Sequence, residues 1–133
     1  MFKSVSKILI IEDDNFLLSL IVEKFIQLGF DAEAASDGEE GLNKILNNKY
    51  DLILLDMILP KMDGFKVLEE VKKNQSFKDL PIIVASNLYD KNDIDRATSL
   101  GAADYIIKAY NSPENIVDRV KAFLHNKLKN KKT

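Results

Sequence analysis

Residues 8–16, ILIIEDDNF, decide the fold because a short buried strand runs directly into three consecutive acidic residues. Ile8–Ile11 are apolar on both faces of a strand, which is typical of a parallel sheet that helices cover on both sides. Glu12, Asp13 and Asp14 follow at the carboxyl end of that strand. Ligands of such open sheets bind outside the carboxyl ends of the strands, so this acidic run marks a candidate site.

Further strand-length runs repeat the pattern along the chain. Three are aliphatic, Leu52–Leu55, Ile82–Ala85 and the shorter Tyr105–Ile107, and Asp31–Ala35 alternates weakly, as an edge strand does. Amphipathic segments lie between them, as helices that cover a sheet require. This alternation predicts an α/β fold, a doubly wound five-stranded parallel sheet with five helices joined by right-handed crossovers.

Capping residues mark the expected helix boundaries. Ser36 is predicted to cap a helix that ends near residue 47, and Ser112 is an N-cap followed by proline. Gly29 and Gly101 stand where helices should end. Asp14 and the pair Asp63-Gly64 are interpreted the same way, as helix-start residues without a catalytic role.

Composition excludes several classes of protein. The 133 residues predict one domain over 1–133, with a core of about 7–125 and a lysine-rich tail over 126–133. A net charge of −2 gives no global attraction to nucleic acid, and the absence of cysteine excludes disulfides and thiolate metal sites. No apolar run approaches the ~18 residues of a membrane span. We therefore expect a soluble, cytoplasmic protein without a nucleic-acid or membrane partner.

Side chains that can do chemistry follow four of the strands. Besides the acidic run after the first, Asp56 follows the third, Ser86 ends the fourth and Lys108 follows the fifth. Crowded carboxylates repel one another and normally need a cation. Hard oxygen ligands without imidazole or thiolate suit Mg²⁺, and Lys108 adds a fixed positive charge.

Other phosphate-binding sites lack their motifs. Neither GxGxxG nor GxxxxGK[ST] occurs, and no serine nucleophile elbow is present. A small phosphatase of the haloacid-dehalogenase type also uses an aspartate after a strand, but it needs a second one two residues later, where this chain has Ile58. A phosphomonoester turnover assay would separate that alternative.

The segments ILIIEDDNF, LILLDMILPKMDGF, IIVASN and SLGAADYIIK resemble the receiver domain of two-component response regulators. The resemblance covers about Lys7 to Leu124, with every segment in the expected order and spacing. It implies a flavodoxin-like strand order of 2-1-3-4-5 and a single-domain receiver similar to the chemotaxis regulators.

The resemblance also implies a role for each site residue. Asp56 is the expected phospho-acceptor. Mg²⁺ would be bound directly by Asp13, Asp56 and the backbone carbonyl of Ile58, with Glu12 acting mainly through a metal-bound water. The expected donor is a sensor histidine kinase or a histidine phosphotransfer protein, and the downstream protein is unknown.

Three further residues complete the expected switch. Ser86 would hydrogen-bond a phosphoryl oxygen, Lys108 would pair with it, and Tyr105 would change rotamer on phosphorylation. The face built from the fourth helix, fifth strand and fifth helix would carry the signal to a protein partner. His125, the only histidine, is expected at the surface rather than in a phosphorelay.

The sequence departs from the family after the lysine, where Ala109 replaces the usual proline and its cis peptide. A cis bond before alanine costs roughly 3 kcal/mol, so a trans bond and a different loop path are expected. This departure supports an alternative function, a degenerate receiver that is a constitutive interaction module. Ile58 and Leu88, both apolar, occupy the positions that flank the phosphoryl group, which predicts slow hydrolysis of the aspartyl phosphate.

Overall fold

The computed structural model describes residues 5–131, and their side chains up to residue 129. Strands and helices alternate as the sequence predicts, and two single 3-10 turns, Gln75–Phe77 and Lys108–Tyr110, lie between them. The strands are β1 Lys7–Ile11, β2 Asp31–Ala35, β3 Leu52–Leu55, β4 Ile82–Ser86 and β5 Asp104–Ile107. The helices are α1 Asn15–Gln27, α2 Gly38–Asn47, α3 Gly64–Lys72, α4 Lys91–Ser99 and α5 Pro113–Lys131. Most of the predicted tail therefore continues α5, and residues 132 and 133 lie outside the described residues.

The five strands form one parallel sheet in the order β2-β1-β3-β4-β5, which confirms the predicted flavodoxin-like arrangement. Asp31–Ala35 is an edge strand, as its weak alternation predicts. Ile11 at the end of β1 pairs with Leu55 at the end of β3. Because the strands are parallel and in this register, Glu12 and Asp56 emerge side by side at the same edge of the sheet.

The sheet is buried on both faces. Leu9 and Ile11 of β1 pack into one core with α2, α3 and α4, whereas Ile8 and Ile10 pack into a second core with α1 and α5. All four side chains are at most 1% exposed. The two cores explain why the strand segments are apolar throughout rather than alternating. Among the described residues, no helix has both the length and the apolar content of a membrane span.

The predicted cap of α2 was wrong by one residue. The N-cap is Asp37, whose carboxylate accepts a hydrogen bond from the backbone N–H of Glu40 at 2.7 Å. Ser36 instead donates its backbone N–H to the Glu40 carboxylate at 2.8 Å. Serine and aspartate are both good caps, so residue type alone does not separate two neighbouring candidates.

The other predicted boundaries are confirmed. Asp14 and Asp63 cap α1 and α3 through their carboxylates, and the Ser112 hydroxyl accepts from a backbone N–H of α5 at 3.1 Å. Gly29 and Gly101 follow the ends of α1 and α4 with φ of 92° and 110°. Glycine adopts this left-handed conformation without the steric cost of a Cβ atom, which is why it ends helices.

Candidate functional site

The predicted metal ligands meet at the carboxyl edge of the sheet. Carboxylate oxygens of Glu12, Asp13 and Asp56 all lie within 4.8 Å of one another. Glu12 and Asp56 are each only 4% exposed, whereas Asp13 is open to solvent. One side of the cluster is therefore enclosed by protein and the other is accessible to an ion or a phosphoryl donor.

Backbone hydrogen bonds fix the two buried carboxylates. The Asp56 N–H donates to the carbonyl of Ile11 at 3.0 Å, which extends the β1–β3 pairing by one residue. The side chain of Asp56 accepts from the N–H of Ile58 at 3.2 Å, and that of Glu12 accepts from the N–H of Asp14 at 3.0 Å. Both carboxylates therefore belong to the ends of rigid strands rather than to free loops.

Lys108 joins this cluster from the end of β5. Its Nζ lies 2.6 Å from a Glu12 oxygen and 2.8 Å from an Asp56 oxygen, and its side chain is 13% exposed. The described chain contains no cis peptide bond, so the bond before Ala109 is trans, as predicted. The lysine reaches Asp56 without the proline that usually follows it.

Burial and charge act against each other in this site. Burial raises the pKa of Glu12, and its hydrogen bond with Lys108 offsets only part of that effect. Burial also opposes the charge on Lys108, but hydrogen bonds with Asp56 and Glu12 outweigh it and raise the pKa of the ammonium. Three carboxylates face one ammonium, so negative charge is left for a cation to neutralise.

The donor set fits Mg²⁺. All three candidate ligands offer hard carboxylate oxygens, and Mg²⁺ prefers one or two carboxylates together with water and phosphate oxygens. The chain has no cysteine, and its single histidine, His125, is exposed on α5, as predicted. Softer metals that select thiolate or imidazole ligands therefore have less to bind here.

Mg²⁺ is expected to stabilise the chain more at about pH 7.5 than at about pH 5, because the proton on Glu12 competes with the cation. With its pKa raised, folded Glu12 holds a proton more tightly than the unfolded chain does, so its contribution to stability falls as pH rises from 4.5 through the folded pKa. Urea unfolding with and without Mg²⁺ at both pH values measures this. The difference between the stabilisation by Mg²⁺ at the two pH values should be smaller in Glu12→Gln than in the wild type. Equal stabilisation by Mg²⁺ at both pH values in the wild type would contradict the expectation.

The two predicted switch residues meet at the loop after β4. Ser86 is fully buried, and its hydroxyl accepts from the N–H of Leu88 at 3.3 Å. Tyr105 is half-buried and donates its hydroxyl to the Leu88 carbonyl at 2.7 Å. Burial raises the pKa of the Tyr105 phenol, so it remains a neutral donor. The backbone of Leu88 is thus a shared partner, which residue types alone did not reveal because any residue carries these groups.

The two remaining predicted residues differ in exposure. The Ile58 side chain is 54% exposed, and Leu88 is half-buried. The role of the Ile58 carbonyl as a metal ligand stays a prediction.

Two grooves flank the sheet at its opposite ends. A groove of about 560 Å³ beside Lys108 is bordered by Asp14, Tyr89 and Tyr110. A larger groove of about 810 Å³, among Tyr50 and other residues, contains none of the predicted site residues. The smaller groove is lined by Lys108 but by none of the three clustered carboxylates.

Comparison with known proteins agrees with this geometry. The family model described as "Response regulator receiver domain" matches residues 8–121. The transcriptional regulatory protein RprY of Bacteroides fragilis is 39% identical over 118 residues, which are 89% of this chain and 49% of that protein. The chain spans about half the length of the curated relatives it matches, 45% to 53%.

Solved structures extend the likeness to three dimensions. A CheY-like receiver domain protein from Methanospirillum hungatei superposes with a TM-score of 0.87 at 28% identity, covering 96% of this chain and 99% of that one. The BeF3-activated receiver domain of DrrB, from Thermotoga maritima, gives 0.80 at 28% identity, covering 92% and 99%. Fold, acidic cluster and family match agree, and this chain belongs to the response regulator receiver family of two-component signalling.

Proposed function

We propose that this chain accepts a phosphoryl group on Asp56 in a Mg²⁺-dependent reaction and thereby switches a protein-binding surface. The observation that carries the proposal is the 2.8 Å contact between Lys108 Nζ and Asp56, inside a cluster with two further carboxylates. A receiver domain is a regulatory phospho-acceptor rather than a classical enzyme, and its partners are histidine kinases.

The chemistry is a displacement at phosphorus. An ionised Asp56 oxygen attacks the phosphorus of a phosphohistidine, a P–O bond forms, and the P–N bond breaks with its electron pair returning to the imidazole. Glu12, Asp13 and Asp56 would hold Mg²⁺, with the Ile58 carbonyl as a further ligand. When bound, the cation would neutralise part of the negative charge on the phosphoryl group during transfer. Lys108 supplies the same kind of stabilisation from the other side.

Phosphorylation of Asp56 would change the hydrogen bonds of Ser86 and Tyr105. Phosphorylation replaces the single negative charge of Asp56 with a phosphoryl group that carries about 1.5 to 2 negative charges and three acceptor oxygens. Lys108 would follow the new charge, and the Ser86 hydroxyl would turn from Leu88 toward a phosphoryl oxygen. Because Tyr105 bonds the Leu88 carbonyl, movement of that loop would reach the α4–β5–α5 face.

The donor would be a sensor histidine kinase or a histidine phosphotransfer protein. As a stand-alone receiver, this chain would act by binding a downstream protein through the α4–β5–α5 face. The relatives' longer chains, some of them named transcriptional regulators, indicate a second form of output in this family, through an attached segment.

Intact-mass spectrometry after incubation with acetyl phosphate and Mg²⁺ tests the proposal. The wild type should gain one phosphoryl group, and neither Asp56→Ala nor wild type with excess chelator should gain any. Circular dichroism establishes that both proteins are folded. A folded wild type that gains nothing would instead support the constitutive interaction module that Ala109 suggests.

Replacing Ile58 with asparagine is expected to speed loss of the phosphoryl group by about ten-fold, because its amide can orient the attacking water by hydrogen bonding. In the wild type, both flanking side chains, Ile58 and Leu88, are apolar and cannot do this. The decay is followed by intact mass after acetyl phosphate is removed. Ile26→Asn is the matched control, since Ile26 on α1 is 55% exposed against 54% for Ile58. An unchanged decay in Ile58→Asn would count against the explanation.

A further inference from the structure

Asn111 holds the turn between β5 and α5 through two hydrogen bonds. Its backbone N–H donates to the carbonyl of Lys108 at 3.2 Å, and its side-chain Nδ2 donates to the carbonyl of Ile107 at 2.8 Å. The side-chain bond is partly shielded from water, and Asn111 is half-buried. One residue therefore holds the carbonyl before Lys108 and the carbonyl of Lys108 itself.

Strand pairing holds the backbone as far as Ile107, which pairs with Ser86 as the last residue of β5, and Lys108 lies just beyond it. The 3-10 turn Lys108–Tyr110 has no side-chain hydrogen bond at its N-cap. A proline at position 109 would restrict the backbone of the preceding residue, but Ala109 imposes no such restriction. The backbone of Lys108 is nevertheless placed so that its Nζ reaches both Glu12 and Asp56.

We propose that Asn111 is a positioning residue for Lys108 and sets the rate of phosphoryl transfer through it, which rests on the function proposed above. The lysine side chain is long and flexible, so its ammonium is well placed only if its Cα is. A misplacement of about 1 Å at a reacting centre can cost on the order of 100-fold in rate. The Nδ2 bond to Ile107 adds to the pairing of that residue with β4 and restrains this Cα on the side of the turn, where a proline at position 109 would otherwise act.

The test is the rate of phosphorylation by acetyl phosphate at saturating Mg²⁺, measured by intact mass. Asn111→Ala should be slowed by about ten-fold, the lower end of the losses seen when a supporting hydrogen bond is removed. Asn47→Ala is the matched control, because the Asn47 side chain makes the same type of bond four residues back, to Asn43, at the same 2.8 Å. It should phosphorylate at the wild-type rate.

A double-mutant cycle separates positioning from a general structural role. If Asn111 acts through Lys108, Asn111→Ala should cause no further slowing in a Lys108→Met background. Asn111→Asp, which keeps the shape but cannot donate to Ile107, should behave like Asn111→Ala and replaces it if that variant does not fold.

Two results would overturn the inference while leaving the proposed function intact. One is an unchanged rate in both Asn111 variants, and the other is equal slowing with and without Lys108. A wild type that takes up no phosphoryl group would overturn both together, so the two failures are distinguishable.

Discussion

Lys108→Met is expected to slow phosphorylation of Asp56 by about 100-fold or more, the loss typical of removing one preorganised charge from a reaction centre. Lys108 Nζ contacts both buried carboxylates, and nothing else of opposite charge contacts them within the described residues. Methionine keeps the length and apolar stem of lysine but carries no charge. The rate is measured by intact mass with acetyl phosphate at several Mg²⁺ concentrations.

The dependence of the phosphorylation rate on Mg²⁺ concentration separates a loss of Mg²⁺ binding from a loss of phosphoryl transfer. Removing the ammonium leaves Glu12, Asp13 and Asp56 with more uncompensated negative charge, so we expect Mg²⁺ to bind Lys108→Met at least as tightly as wild type. Lys91→Met is the control, because Lys91 pairs with Asp95 at 2.7 Å but is 86% exposed. A rate within two- or three-fold of wild type in Lys108→Met, on the order of experimental scatter in such comparisons, would contradict the role given to Lys108.

Gly64→Ala is expected to lower the free energy of unfolding by about 3 kcal/mol, as overpacking against a fixed backbone does. A Cβ atom on Gly64 would overlap the backbone oxygen of Asp56 and lie 2.6 Å from the Cα of Met57. The Gly64 N–H also donates to the Met57 carbonyl at 2.9 Å, so α3 cannot move away freely. Relief of the clash must therefore displace Asp56 and Met57.

The rate of phosphorylation should fall together with the free energy of unfolding in Gly64→Ala, since the displaced segment begins at Asp56. Gly29→Ala is the control, because no atom lies within 4 Å of its added Cβ and only the left-handed backbone opposes it. Gly29→Ala should therefore lower the free energy of unfolding by about 1 kcal/mol and leave the rate of phosphorylation unchanged. Urea unfolding and intact mass measure both quantities. Equal loss of stability in the two variants would contradict the account of the close approach at Asp56.

The strands were predictable because burial dictates their composition. Leu52–Leu55 was predicted with its observed bounds, since both faces of β3 lie in apolar cores. The prediction for β1 missed Lys7, which joins the strand through backbone pairing with Asp31. Such pairing depends on the neighbouring strand rather than on the side chain, so periodicity gives no signal for it.

The acidic cluster was predictable for a topological reason. Residues that follow parallel strands meet at one edge whatever their side chains are, so the strand ends alone brought Glu12 and Asp56 together. The bond from Lys108 to Glu12 was not predicted, because Lys108 was predicted only as a fixed positive charge near the carboxylates and as the partner of the phosphoryl group. The crowding of carboxylates was the available signal, since the nearest cation should pair with more than one of them.

Backbone acceptors account for the rest of what was missed. Tyr105 donates to the carbonyl of Leu88, and Asn111 donates to that of Ile107. Every residue carries a backbone carbonyl, so residue type does not indicate which one accepts a hydrogen bond. The departure at Ala109 could be recognised in the sequence, but its consequence could not. Only the folded turn reveals that Lys108 still reaches Asp56 and that Asn111 donates to the carbonyl of the preceding residue, Ile107.

If Asp56 carries the phosphoryl group, chemical trapping should locate it there. The wild type is phosphorylated with acetyl phosphate and Mg²⁺, the acyl phosphate is reduced with borohydride, and the product is located by tandem mass spectrometry. Reduction converts a phosphorylated aspartate to homoserine, so the modified residue is identified by sequence. Homoserine at position 56 is the predicted result, and homoserine at Asp13 or any other position, or none at all, would contradict it.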